Sequence, residues 1–587
     1  MSIYLTADQW RRLPERLSDP FFAGLAARNR RALDLIPADE LCELPGRLGT
    51  DAPPTRWRWR HLKLRLQRAT VAWFLDRDQR QAGHIRLVAD EFLRDEHWRV
   101  FSDFYEAGLR HADLRTADTW YCVAFLIAVC GAELLGVERV AALRARLQAD
   151  GLGAYRAGWA GEDWWYQCDF NWGAAVHGCA GLAALVLEDS DPAGSAAVLQ
   201  LVRRGLSQVL GAVPPGGGWI EGIMYQTTTM AHITDLLAEW YRRHGEDLGL
   251  LDDRDWGDCF DFRIAMLGGD DRPLNFSNCE ERTEEWRMAQ AYWWAAQRQR
   301  ADWTGFEDAH QRDWRITTGV FHDVEAFWFR PVQPALATAR PPRLAHFHGI
   351  GWTAWHGERA WLGLRGGRLG GNHGNWDLGS VIFGIGAARV LIDPGYGAGA
   401  EQQHNVVQVR GRPMADAASA RLLQLQELPD GGMYCCLELR ETSPHVLLYH
   451  RRYVVVRDAA LLLFDDIHCA DGRRTSARFH LQTRVPLRPD GADHRLDVDG
   501  VGVAVRFLTR PADLQQESWE WAGLPVHTQR WRLLPDRTRT QCAVLLQEEG
   551  PIWPAWRCTD ERASLQGGGW DLHIDLRSGR LATEDPV

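Results

Sequence analysis

The feature that most constrains this chain is a change of period. Up to about residue 330, apolar residues recur at helical spacing, as in DTWYCVAFLIAVCGAELLG, AAVHGCAGLAALVLEDS and TTTMAHITDLLAEWYRRHG. Breaks such as DSDPAG and VPPGGG separate these segments with the Pro, Gly and Asp that interrupt helices. After the proline-rich stretch RPVQPALATARPPR (330–343) the runs become short, β-branched or alternating, as in RVLIDPG, HVLLYHRRYVVVRDAALLLFDDI and VGVAVRFL. A succession of helices without strands, followed by strands without helices, predicts two domains. We expect a helical array or toroid over 1–330, a linker over 331–343 and an antiparallel β-sandwich over 344–587.

Charge and composition exclude several classes of function. A net charge of −11 argues against a nucleic-acid partner. The basic cluster RWRWRHLKLR (56–65) reads as a surface and packing segment. Lys63 is the sole lysine, so Schiff-base chemistry would rest on that one residue. The 12 cysteines include no CxxC, which predicts buried reduced thiols and no zinc knuckle or redox pair. The apolar run at 119–136 is short and interrupted by Gly131 and Glu133, so a buried helix is expected and no membrane partner. The N-terminus has no basic region leading into an apolar one, so a cytoplasmic location is expected.

The stretch LRGGRLGGNHGNWDLGSVIFGIGAARVLIDPGYG (364–397) is rich in glycine, but it is no phosphate loop. A Walker loop needs a lysine, and a dinucleotide fingerprint needs a helix after it; strand-like runs follow instead. Turns and close strands account for the glycines. The polar set His373, Asn375, Asp377, Asp393 and His404 lies around two strands, where every buried polar group needs a partner, and this points to a site.

Those residues, in the order NHGNWDLGSVIFGIGAARVLIDPGY…QQHNVVQV, resemble the heparinase II/III-like polysaccharide lyases. The resemblance extends to FHGIGWTAWHGERAWLGLRGG, HRRYVVVRDAALLLFDDI, DFNWGAAVHG and GGGWIEGIMYQ. It implies an (α/α) toroid followed by an antiparallel β-sandwich, the same architecture as the change of period. It also implies cleavage of a uronic-acid-containing glycan by β-elimination: a base takes the C5 proton while the C4 oxygen leaves. The family's roles fall on Asn171, neutralising the substrate carboxylate, and on Tyr225 and His373 as acid and base, in a cleft between the domains. Trp172 and Trp219 are candidates for stacking on sugar rings, and Glu221, His232 and Asn375 for contacts to substrate. Glu221 stands four residues before Tyr225, which puts both on one face if the segment is helical.

In the family a zinc or similar divalent ion is held by the second His of a His-x-His, an Asp and the His of His-Asn. Asp393 and His404 match, but Asn375 stands at the third position, and a neutral amide is a poor zinc ligand. A hydrogen-bonded Asn375–Asp393–His404 cluster supporting the strands is the expectation.

Each residue also has a plain structural alternative. Asn171 is a plausible helix N-cap, Tyr225 a half-buried core tyrosine, His177 and His232 satisfied core histidines, and 268–282 a solvated or rim loop. The expected partner is an acidic oligosaccharide or other small acidic substrate, with the protein a monomer or homodimer. Three alternatives stay open: elimination on a non-polymeric intracellular substrate, hydrolysis by Glu221 with Asp270 or Asp271, and glycan binding without catalysis.

Overall fold

The computed structural model describes residues 2–34, 55–251, 258–282, 286–312, 323–332, 337–370, 372–411, 413–440, 447–470, 476–533, 539–548 and 553–582. Side chains of the basic cluster before residue 62, and residues 333–336 of the linker, lie outside that set. Two compact units emerge, and they do not simply follow chain order. The first comprises Met1–Val213, Tyr225–Phe260 and Glu284–Ala339; the second comprises Pro214–Met224, Asp261–Thr283 and Arg340–Val587. Two segments from the helical half thus belong with the strands.

The first unit is built on helices. Asn171–Leu187 packs between Leu114–Phe125 and Pro192–Gly211. Nearly every residue of Asn171–Leu187 is buried, as expected of a helix apolar on all sides. Gly178 is what lets a neighbour in: a Cβ there would stand 2.6 Å from the carbonyl oxygen of His232. Leu114–Leu135 is long and apolar enough to cross a membrane by length and composition, and 78% of its apolar window is buried inside the protein. The described cysteines are free thiols, all buried except Cys558.

In the second unit the described sheets are antiparallel. Five strands, Leu344–Phe347, Trp352–His356, Ala360–Arg365, Val381–Ile385 and Ala388–Leu391, pair in chain order. A nine-stranded sheet holds Met433–Arg440, Leu447–Arg457, Ala460–Cys469 and Arg539–Glu548 at its centre. Its two faces follow the strict alternation of the sequence. Cys435, Leu437, Val454, Val456, Leu461 and Leu463 enter one core with residues such as Phe383, Val390 and Trp531. Tyr434, Cys436, Tyr453, Val455, Leu462 and Phe464 enter another with Leu565, Leu572 and Ile574 of the C-terminal strands. The sandwich therefore gains a third layer, because both faces of the central strands are apolar.

Candidate active site

The glycine-rich stretch becomes two strands flanked by loops, and its polar residues separate into two imidazole–carboxylate pairs. Around His373 the backbone is left-handed, with φ +59°, a conformation that costs a non-glycine residue of order 1–3 kcal/mol. Its Nδ1 lies 2.7 Å from Glu221 Oε1, which also accepts from Asn372 Nδ2 at 3.2 Å. Trp219 Nε1 donates to the other oxygen, Oε2, at 3.1 Å. Glu221 is buried, with 2% of its side chain exposed against 23% for His373. The imidazole thus stands at the edge of the fold with one nitrogen tied down.

Glu221 owes this place to the turn that follows it. Gly222 has φ +89°, and the helix Ile223–His244 begins only after it. Glu221 therefore does not share a helical face with Tyr225, contrary to the expectation from spacing, and its carboxylate is committed to Trp219, Asn372 and His373. Trp219 and Asn375 are both buried; Trp219 anchors Glu221 rather than presenting an open stacking face.

The second pair is Asp393 and His404, both fully buried, with Nδ1 2.8 Å from Asp393 Oδ2. Burial alone would lower the pKa of His404, but Asp393 outweighs it and raises the pKa to about 9. Asp393 Oδ1 accepts from the Gly395 amide at 2.9 Å. Asn375 does not join them as expected: its Nδ2 donates to the Ser277 carbonyl at 3.0 Å. Two donors and an amide turned elsewhere do not fit a zinc ion held by three side chains, so no step below uses one. Asp377, the acid of the same motif, is buried with Arg365 Nε at 3.4 Å, and burial raises its pKa.

The segment 268–282 is not a solvated loop. Arg389 holds both oxygens of Asp270 at 3.0 Å, and Asn275 donates to the Asp393 carbonyl at 2.8 Å. Ser277 donates to the Ile220 carbonyl at 2.9 Å, which ties the segment to the chain beside Glu221. Sequence reading missed Asn372 and Ser277, since a single Asn or Ser in a loop carries no spacing signal.

The first unit holds the other candidates. Asn171 is the first residue of its helix, not the N-cap, which is Phe170. Its Oδ1 is buried and has no hydrogen-bond partner. Trp172, half-buried, meets Phe104 edge-on with ring centres 5.1 Å apart and lies 5.2 Å from Trp164, itself exposed. Tyr225 is half-buried in the first turn of its helix, and His232 follows two turns on, 8% exposed. His177 is a core histidine only half satisfied: Nδ1 lies 2.8 Å from the Tyr155 hydroxyl, Nε2 is buried without a hydrogen-bond partner, and burial lowers its pKa to about 3.

With this geometry in hand, residues 339–532 match the family described as heparinase II/III-like, C-terminal. Over those residues the chain is similar to that family. No curated protein matches the sequence. Solved structures do: a heparinase III at TM-score 0.60 and 11% identity, covering 94% of this chain and 90% of that one. The heparan sulfate lyase HepC of Pedobacter heparinus matches at TM-score 0.58 and 12% identity, covering 91% and 83%. A chondroitin AC lyase of Streptomyces coelicolor A3, in complex with chondroitin sulphate, matches at 0.55 and 12%, covering 97% and 87%. At such identities the likeness is one of fold: a heparinase II/III-like toroid plus β-sandwich, as the change of period predicts.

Proposed function

We propose that this chain is a polysaccharide lyase that cleaves a uronate-containing glycan by β-elimination. The observation that carries the reading is the Glu221–His373 pair. A buried carboxylate orients Nδ1–H of a partly exposed imidazole, the kind of group that exchanges a proton with a sugar. Elimination demands such a group, because the C5 proton is only weakly acidic until its carboxylate is neutralised.

Asn171 is suited to that neutralisation. It sits in the first turn of a helix, where the backbone dipole favours an anion. Its amide offers a donor to one carboxylate oxygen and an unsatisfied acceptor to a proton shared with the other. Tyr225, also in a first helical turn, is the second proton-transfer group, acting on the C4 oxygen as it leaves. Trp172 and its aromatic neighbours give a sugar an apolar face to rest on.

Hydrolysis is disfavoured by what its carboxylates already do. Asp270 is fully engaged by Arg389, and Glu221 by Trp219, Asn372 and His373. The names of the structural relatives make heparan sulfate and chondroitin sulphate the first substrates to try. Incubation with uronate glycans should give an unsaturated, ultraviolet-absorbing product. New saturated reducing ends without that absorbance would overturn the reading in favour of hydrolysis.

A further inference from the structure

In the core of the first unit, three side chains of metal-ligating type come together. One ligand atom from each of Asp118, Cys179 and His232 lies within 4.8 Å of the other two, the one such group of three among the described residues. They come from Leu114–Phe125, Asn171–Leu187 and Ile223–His244. Gly178, where the last two helices nearly touch, is the residue before Cys179.

The histidine is already set for a ligand. His232 Nδ1 lies 2.8 Å from the carbonyl oxygen of Thr228, one turn back, so Nδ1 carries the hydrogen and Nε2 the lone pair. Nε2 is buried, has no hydrogen-bond partner and lies 3.8 Å from Asp118 Oδ1. A backbone carbonyl fixing one ring nitrogen while the other meets a metal is the usual arrangement of a ligating histidine. Asp118 has its outer partner too: the Lys63 ammonium at 3.2 Å, itself 4.2 Å from the Tyr121 ring centre.

We propose that Asp118, Cys179 and His232 bind one zinc ion, with Lys63 as the outer hydrogen-bond donor to Asp118. One thiolate, one imidazole and one carboxylate make a set that zinc accepts, the fourth position of the tetrahedron going to a non-protein ligand. Zinc–ligand bonds of about 2.0–2.3 Å place ligand atoms roughly 3.3–3.7 Å apart, so the observed spacing needs only small side-chain shifts. Binding exchanges the Cys179 S–H for S–Zn and releases that proton to solvent. Because the thiol must lose its proton to bind, the ion binds more weakly as pH falls.

Charge does not forbid the ion beside Lys63. Zinc with one thiolate adds a single positive charge, and Asp235 and Glu325, both buried, act on Lys63 along with Asp118. The ion touches no reacting atom. Cys179 is eight residues beyond Asn171 and His232 seven beyond Tyr225, roughly 12 Å and 10 Å along their helices. It would act as a staple that fixes the spacing of the helices carrying those residues, whatever reaction they perform.

The test uses the full chain, stripped with chelator and reloaded with zinc or cobalt(II). We expect one metal ion per chain, a thiolate-to-cobalt charge-transfer band and a higher melting temperature with zinc. Cys179→Ser should lose all three, while the double variant Asp393→Asn/His404→Gln keeps them. No ion after reloading, a cobalt complex without the thiolate band, or an ion lost only in the double variant would each overturn the proposal. If Cys179→Ser does not fold, His232→Gln replaces it, and the wild-type cobalt spectrum still decides whether a thiolate is a ligand.

Discussion

His373 with Glu221 and His404 with Asp393 are the same chemical pair in two settings. Each joins an imidazole Nδ1 to a carboxylate oxygen, at 2.7 and 2.8 Å. They differ in what surrounds them. His373 keeps 23% of its side chain in solvent on a left-handed backbone; His404 keeps none, and the Gly395 amide braces its aspartate. Solvent reaches the first pair, whereas in the second the proton is held in place up to about pH 9. In the proposed reading, solvent access, not the bond, separates a group that does chemistry from one that supports strands.

The largest effect should come from His373→Ala. Loss of a general acid–base group should cut the rate of unsaturated product formation by about 10²–10⁴-fold. Thermal unfolding should barely move, because the ring is part-exposed and its backbone strained. A variant that melts early and keeps its specific activity would place His373 with the structural pair. His404→Ala should do the reverse. It leaves the Asp393 carboxylate buried and unpaired, costing about 3–5 kcal/mol of stability by denaturant titration. Activity per folded molecule should persist; a rate loss at full stability would erase the distinction.

The division between these pairs was only partly legible in the sequence. The period change marked the two kinds of structure, because alternation and helical spacing are local properties. It could not show that Pro214–Met224 and Asp261–Thr283 pack with the strands, since neither carries a strand pattern. His373 and Asp393 were visible through their motif. Glu221 was visible as an acid, but the spacing rule tied it to Tyr225, and the positive φ of Gly222 undid that rule. Asn375 is not the partner of Asp393 that the motif suggests, because the Ser277 carbonyl that takes its amide lies 98 residues away. The Asp118–Cys179–His232 group went unread because three helices bring it together, and no single segment shows more than one of its members.

Glu221→Gln tests the first pair more gently. The amide keeps the shape but can present its N–H to Nδ1, favouring the wrong tautomer of His373. We expect kcat to fall by about 10–100-fold, less than for His373→Ala, with a shifted pH–rate profile and little change in melting. A change confined to KM would make Glu221 a substrate contact instead.

A third imidazole isolates what a carboxylate partner contributes. His480 is buried on the strand Ala477–Thr483, and neither ring nitrogen has a hydrogen-bond partner. Burial, then the charges of Arg530 and Arg478, lowers its pKa to about 3, the opposite direction from His404. A histidine held neutral in the fold binds its proton first in the unfolded chain, near pH 6.5. Its contribution to stability is therefore present above that pH and is lost as pH falls toward 3. Between pH 7 and pH 5 the loss from this one group is about 2 kcal/mol. His480→Phe should remove that part of the acid sensitivity, read as a smaller drop in the urea midpoint between those two pH values. An unchanged drop would mean that water or a carboxylate reaches His480, and that burial alone does not set the direction of these shifts.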